Sequence, residues 1–282
     1  MLETRFVTPH RARTERLVDA ALRAAGERAD PTSWQWIEHG SANLVVLAGS
    51  AAVRIGRTRA AAEHSRRAQA VVDALPHLPF AVPRSLADPV GDGEMVAIAQ
   101  RRLDGIPHPS GHGDAAALGT LLDALAAVPI PPLHPHLAPP HTFMGGEHWH
   151  AVMVERAIPL LDAGARGAAR RAADALADLP PAPPALVHGD LAGSNVLWSD
   201  GSVSGVIDWD LASAGDPAVD VAALAVWHGW DAIARVRPPE IVQRARVVAA
   251  THPLQVLSFS IVDERPDAER ARAAEFANAR FS

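Results

Sequence analysis

The 282-residue chain contains no cysteine, no tyrosine and no lysine, so all 26 of its fixed positive side chains are arginines. Without cysteine there is no disulfide framework, no thiolate metal site and no thiol nucleophile. Without lysine, Schiff-base and amine-nucleophile chemistry are excluded, and every fixed cation is a planar guanidinium. Long apolar runs are also missing: nothing approaches the roughly 18 consecutive apolar residues of a membrane span. Met1-Leu2-Glu3-Thr4-Arg5 leads into no signal-peptide-like apolar region, so the sequence reads as soluble and cytoplasmic, with no membrane partner. Glycine and proline, at 20 and 24 residues, fall short of low-complexity or collagen-like composition.

What is present suits a globular protein. The chain is 48% apolar and 21% charged, enough to bury a sizeable core as one large domain or two lobes. Its net charge of −6 is unevenly spread. Residues 1–102 hold 14 arginines against 11 acids, a net +3, whereas residues 103–282 hold 12 against 21, a net −9. A nucleic-acid binder would show an excess of basic residues, so nucleic acid is not an expected partner.

Periodicity divides the chain at the same place. A helix is predicted from about residue 9 to 25, then short strands at 34–37, 43–47 and 51–55 separated by glycine and serine turns. An alanine-rich helix over 59–75 and strands at 82–86 and 94–100 complete a five-stranded antiparallel sheet with one long inserted helix. From Asp114 onward the pattern turns helical, with predicted helices at 114–127, 148–161, 166–178, 217–229, 239–257 and 267–278. Proline-rich stretches at 129–140 and 180–184 stop helices because proline removes a donor the helix needs. One β-like island, residues 185–207, interrupts this half. The expected architecture is α+β and bilobal, with lobes at 1–102 and 103–282.

The island carries the chemistry. It reads Leu186-Val187-His188-Gly189-Asp190 through Ser194-Asn195-Val196-Leu197-Trp198, then Ser204-Gly205-Val206-Ile207-Asp208-Trp209-Asp210. Asp190 and Asn195 stand five apart on a loop, and Asp208 ends an apolar strand. Phosphoryl transfer needs these residue types: a carboxylate to accept the proton of an attacking hydroxyl, and hard oxygen ligands for magnesium. The histidines at 134, 136, 141, 148 and 150 show no His-Glu-x-x-His spacing, so no zinc site is expected.

His188-Gly189-Asp190 through Asn195, with Ile207-Asp208-Trp209, resembles the aminoglycoside phosphotransferase family of small-molecule kinases, and the likeness extends over nearly the whole chain. The resemblance implies a protein-kinase-like fold with a nucleoside triphosphate, ATP or GTP, between the lobes and an acceptor on the helical lobe. It implies Asp190 as catalytic base, Asn195 and Asp208 as Mg2+ ligands, and His188 and Asp220 as structural supports of the catalytic loop. Only seven residues separate Asp208 from Asp216, which leaves no room for an activation loop and favours a small acceptor over a polypeptide.

Within this frame, nucleotide contacts are expected from Ser41 and Asn43 on the Gly40-Ser41-Ala42-Asn43 turn, from Arg54 on the third strand, and from Gln100, Arg101 and Leu103 at the hinge. Arg54 stands where many relatives carry lysine, and Arg57 is its reserve. The helix acid that would pair with that cation is missing near Ala68 or Gln69; Glu63 lies a turn and a half earlier. Acidic residues of the helical half, Asp210, Asp263 and Glu264 with Asp267 and Glu269, are the expected contacts for a cationic acceptor. Several strings, among them Arg57 to Glu63 and Gly215-Asp216-Pro217, resemble kinases acting on viomycin and capreomycin, basic cyclic-peptide antibiotics. Aminoglycoside, macrolide and metabolic small-molecule acceptors are the alternative substrates, and a nucleotide-binding pseudokinase is the alternative of another class.

Overall fold

The computed structural model describes residues 9–38, 43–191 and 193–282. Its first half is built on the five-stranded antiparallel sheet, in the order β1 (Gln35–Ile37), β2 (Asn43–Ala48), β3 (Ala51–Gly56), β5 (Val96–Arg101), β4 (Val90–Gly91). Helix α1 (Arg11–Ala24) covers one face, and α2 (Arg59–Ala74) packs on the other. The two-residue alternation of a strand sorts the side chains. Leu44, Val46, Val53, Ile55, Ala97 and Ala99 pack with Leu17, Val18, Ala21 and Leu22 of α1. The intervening positions, Asn43, Arg54, Val96, Ile98 and Gln100, share the opposite face, because Arg54 lies beside Val45 and Ile98 in register. Thr58 starts α2 by accepting from the Ala61 amide at 3.1 Å.

One expected strand is corrected. Residues 82–86 form only an isolated bridge, Ser85 with Gln100, and the fifth place in the sheet is taken by Val90–Gly91. Pro83 sits in that run and has no amide hydrogen to give to a ladder.

The second half has two apolar cores. In the first, α3 (Ala115–Ala126) packs with helices α6 to α8 defined below around Leu118, Leu121, Leu125, Trp209, Val221 and Leu224. The ribbons of the island run through it. β6 (Ile106–Pro107), β8 (Val196–Ser199) and β9 (Ser202–Val206) form one sheet, and β7 (Ala185–Val187) pairs with β10 (Ser213–Gly215). The second core gathers Met144, Met153, Ile158, Leu161, Leu254 and Leu257.

The region 148–161 is not one α-helix. A single turn, α4 (Trp149–Ala151), widens into a π-helical stretch at Val152–Ala157 and ends as a 3-10 turn at Ile158–Leu160, which contains Pro159. Helix α5 (Ala163–Ala177) follows. Beyond β10 come α6 (Ala218–His228), α7 (Trp230–Ala234), α8 (Pro239–Ala250), α9 (His252–Val262) and α10 (Asp267–Phe281). The expected helix at 239–257 is therefore two, bent by 45° between α8 and α9, where Pro253 occupies the first turn of α9. Among the described residues no single helix is long and apolar enough to cross a membrane.

Gly56 is where β3 meets α2: a β-carbon there would lie 2.6 Å from the Ala62 amide nitrogen, which is backbone and cannot swing aside. Gly56→Ala is expected to push α2 off the sheet and destabilise the protein by about 1–3 kcal/mol. A fall in the thermal midpoint measures it; an unchanged midpoint would show that the contact has room to relax.

Candidate active site

The loop joining β7 to β8, residues 188–195, is held from below by one buried carboxylate. Asp220, in the first turn of α6, accepts from the His188 amide at 2.8 Å and from the Gly189 amide at 3.0 Å. Burial pushes its carboxyl up to about 7, against the stabilising pull of those two donors. His188 is fully buried, its ring edge against Trp209 with centroids 4.7 Å apart. Its Nε2 donates to the Ile207 carbonyl at 3.0 Å and its Nδ1 accepts from the Asp190 amide at 3.2 Å. Only the neutral tautomer satisfies both bonds, and burial lowers its pKa to about 4. Gly189 has a φ of +87° and lies against Leu211, where a β-carbon would come within 2.8 Å of a side chain and a carbonyl.

This scaffold presents Asp190 half-buried at the cleft. The Asn195 amide donates to the Asp190 carbonyl at 2.8 Å and to its Oδ2 at 3.0 Å, so one side chain fixes both the loop and the carboxylate. Asp208 follows β9 with a φ of +63°. The expected trio is thus brought together, with Asn195 and Asp208 linked through the Ile207 amide to Asn195 carbonyl bond of 3.0 Å.

Across the cleft, Arg54 is buried and faces the carboxylates rather than solvent. Its Nη2 donates to Asp208 Oδ1 at 3.1 Å and to Asp210 Oδ2. Arg57, the reserve cation, is instead tied to the Glu38 carbonyl at 2.6 Å. Glu63 does not pair with Arg54: it is exposed and lies 3.6 Å from Arg59, one helical turn away. Asp208 keeps about half of its side chain exposed, and partial desolvation with the nearby charges of Asp210 and Asp190 raises its carboxyl against the pull of Arg54. One oxygen of Asp210, Oδ1, is buried with no hydrogen-bond partner.

Arg54 meets two carboxylates, Asp208 and Asp210, and the charge of Asp190 acts on Asp208 as well, an acidic setting of the kind that suits a divalent cation. Among the described residues no group of three or more His, Cys, Asp or Glu side chains is arranged to hold a metal alone. A hard cation shared with phosphate oxygens needs only one carboxylate and one amide from the protein, and Asp208 and Asn195 fit that role.

The remaining expected residues scatter. Ser41 lies outside the described residues. Asn43 shares the sheet face with Arg54 and donates to Asp210 Oδ2 at 3.1 Å. Gln100 is buried, and its amide is used on Gln69 Oε1 at 2.5 Å; Arg101 is exposed, and Leu103 rests against Gly205. Asp210 is drawn to the N-terminal sheet, not to an acceptor wall, because Arg54 and Asn43 claim its side chain. Asp263 is buried at the end of α9 and Glu264 is exposed beside it, with a φ of +48°.

Two residues of α2 were not foreseen. Arg67 donates to the carbonyls of Asp210 at 2.7 Å and His136 at 3.2 Å, stitching α2 to the second half. Ser65 donates to Asn43 Oδ1 at 2.8 Å. Ser65 and Gln69 are polar positions inside the otherwise apolar buried stripe of α2, which is the signal by which they could have been found. Trp227 packs against Gly193 and donates to the His108 carbonyl at 3.0 Å, joining the 188–195 loop to the segment that carries His108.

Comparison with known proteins accords with this geometry. The model of the phosphotransferase enzyme family matches residues 33–257. The chain belongs to the phosphotransferase enzyme family. Viomycin phosphotransferase of Streptomyces vinaceus is 32% identical over 216 residues, 71% of this chain and 75% of that protein. Hygromycin-B 4-O-kinase of Escherichia coli is 32% identical over 174 residues, 59% of this chain and 43% of its own length. Among solved structures, the GDP complex of aminoglycoside 2'-phosphotransferase-IIIa superimposes with a TM-score of 0.80 at 17% identity, covering 96% of this chain and 98% of that one. Macrolide 2'-phosphotransferase MphH of Brachybacterium faecium gives 0.69 at 23%, covering 94% and 98%. These two likenesses speak to the fold, which this phosphotransferase shares with kinases of chemically different antibiotics. As a member of the family it is a phosphotransferase with an alcohol group as acceptor.

Two outcomes follow for the loop. A β-carbon on Gly193 would overlap the Trp227 indole, so Gly193→Ala should destabilise the phosphotransferase by about 1–3 kcal/mol in urea unfolding and lower its turnover. For His188 the folded-state pKa of about 4 lies below the ordinary value near 6.5. The unfolded chain therefore takes up this proton first on acidification. The contribution of His188 is full above pH 6.5 and is lost as pH falls toward 4. The stability difference between wild type and His188→Gln should shrink over that window; a difference independent of pH would contradict the neutral-tautomer assignment.

Proposed function

We propose that the chain is a magnesium-dependent NTP:O-phosphotransferase that phosphorylates a hydroxyl of a small cationic antibiotic, of the viomycin and capreomycin cyclic-peptide class, and confers resistance to it. The observation that carries the reaction is the Asp190 carboxylate, held by the Asn195 amide and facing the same cleft as Asp208 and Arg54. In this reading Asp190 accepts the proton of the attacking hydroxyl. Asn195 keeps that carboxylate oriented, and His188 and Asp220 keep the loop that carries it rigid. Arg54 clamps phosphate through its fork. Asn195 and Asp208 would hold Mg2+, which when bound supplies positive charge to the oxygens of the transferring phosphoryl group.

Residues 1–102 then serve the nucleotide, ATP or GTP, with Ser41, Asn43, Arg54, Gln100, Arg101 and Leu103 as its contacts. Residues 103–282 serve catalysis and the acceptor. Two observations support a cationic acceptor: the −9 charge of that half, and the 32% identity to viomycin phosphotransferase across most of both chains. The hygromycin-B kinase likeness favours an aminoglycoside as the second reading. The protein is read as cytoplasmic.

Transfer of radiolabelled γ-phosphate from ATP and GTP to capreomycin, viomycin, hygromycin B, kanamycin and erythromycin tests the proposal. Label is expected in the cyclic peptides. Label in hygromycin B or kanamycin alone would select the second reading, and label in none, with nucleotide still bound, would leave a nucleotide sensor. Asp190→Asn is expected to lower turnover by roughly 10²–10⁴-fold with the thermal midpoint unchanged. Full turnover in that variant would remove Asp190 from the role.

A further inference from the structure

A cation that clamps phosphate has to be held in place, and on this sheet face the helix supplies no acid to hold it. The buried stripe of α2 presents Ala68 and Gln69. The Gln69 amide is used on Asp73, on the Pro83 carbonyl and on Gln100. Glu63 is two-thirds exposed and turned toward Arg59.

The acid comes from the other half of the molecule. Asp210 Oδ2 accepts from Arg54 Nη2 and, at 3.1 Å, from Asn43 Nδ2, the neighbour of Arg54 on the same sheet face. Asn43 is itself braced by Ser65 of α2 at 2.8 Å. The Asp210 main chain is held by the same helix, through Arg67 Nη2 to its carbonyl at 2.7 Å. Backbone and side chain of one residue are thus both engaged by the N-terminal lobe.

We propose that Asp210 is the positioning residue of Arg54, doing from the catalytic lobe what an acid on α2 would do from the nucleotide lobe. The inference rests on the reading of Arg54 as the phosphate clamp. Arg54 touches two carboxylates, and Asp208 is the one with a second task as a metal ligand. Asp210 is therefore the partner left to fix the guanidinium during turnover. Arg54 and Asp210 come from different halves of the chain, so the clamp is set by the docking of those halves. This assignment also removes Asp210 from the acceptor contacts.

The test uses the full chain. Affinity for a fluorescent ATP or GTP analogue is measured without acceptor, and kcat and both KM values are measured with nucleotide and acceptor varied in turn. Asp210→Asn is expected to weaken nucleotide binding and raise the nucleotide KM roughly tenfold to a hundredfold, with the acceptor KM within about twofold. Asp210→Glu should retain most of the affinity, and Glu63→Ala should match wild type. In an Arg54→Ala background Asp210→Asn should add little, because the two changes remove one interaction. Losses that multiply in the double variant, or a raised acceptor KM with nucleotide affinity unchanged, would overturn the assignment. Thermal unfolding reports whether the amide variant folds; if it does not, Asp210→Ser takes its place. Because binding is read without acceptor, a wild-type protein that binds nucleotide yet phosphorylates nothing would refute the reaction without touching this result.

Discussion

One guanidinium facing a cluster of carboxylates is the interaction on which the rest of this molecule turns. Arg54 reaches from the antiparallel sheet to Asp208 and Asp210, residues 154 and 156 positions further along the chain. It brings the two halves together at the point where the catalytic loop ends its strand. It does not balance the charge gathered there: Asp190 stands close enough to raise Asp208, and an oxygen of Asp210 is buried without a partner. Acidic groups drawn this close to one another are the setting in which the proposed divalent ion would bind. The same closeness makes the arrangement costly unless the surrounding fold holds it rigidly.

That rigidity comes from two buried titratable groups that solve the same problem in opposite ways. Asp220 accepts two backbone amides and carries a carboxyl whose ionised form is disfavoured by burial. His188 stays neutral, using one ring nitrogen as donor and the other as acceptor, which joins the loop to the strand that leads to Asp208. Each leaves its hydrogen-bonding capacity met within the protein, so neither needs water. Gly193 adds a steric element: only a residue without a side chain lets Trp227 lie flat against the loop. Polar satisfaction and close packing together hold Asp190 in place.

Much of this was legible in the sequence, for reasons tied to particular residues. The apolar run around Val53-Arg54-Ile55 marked the third strand, and the alanine-rich run over 59–75 marked α2 closely. The run from His188 to Asn195 and the strand ending at Asp208 are local signals, readable because each lies within one turn or strand. Long helices were less legible where their backbone is irregular. The π-helical stretch at Val152–Ala157 and the bend between α8 and α9 depend on packing that periodicity alone does not report. The strand placed at 82–86 failed because the apolar run was short and Pro83 could not join a ladder.

By itself, then, the sequence determined the chemistry available: no thiol, no amine, arginine as the sole fixed cation, and an Asp, Asn and Asp at spacings that suit phosphoryl transfer. Those properties follow from composition and from contacts a few residues long. Which acid meets Arg54 was decided only by the tertiary structure. Glu63 is near in sequence but lies on the exposed face of α2, whereas Asp210 is distant in sequence and is delivered by the docking of the two halves. The periodicity of a helix says which way a side chain points, and it says nothing about what another part of the chain will bring to meet it.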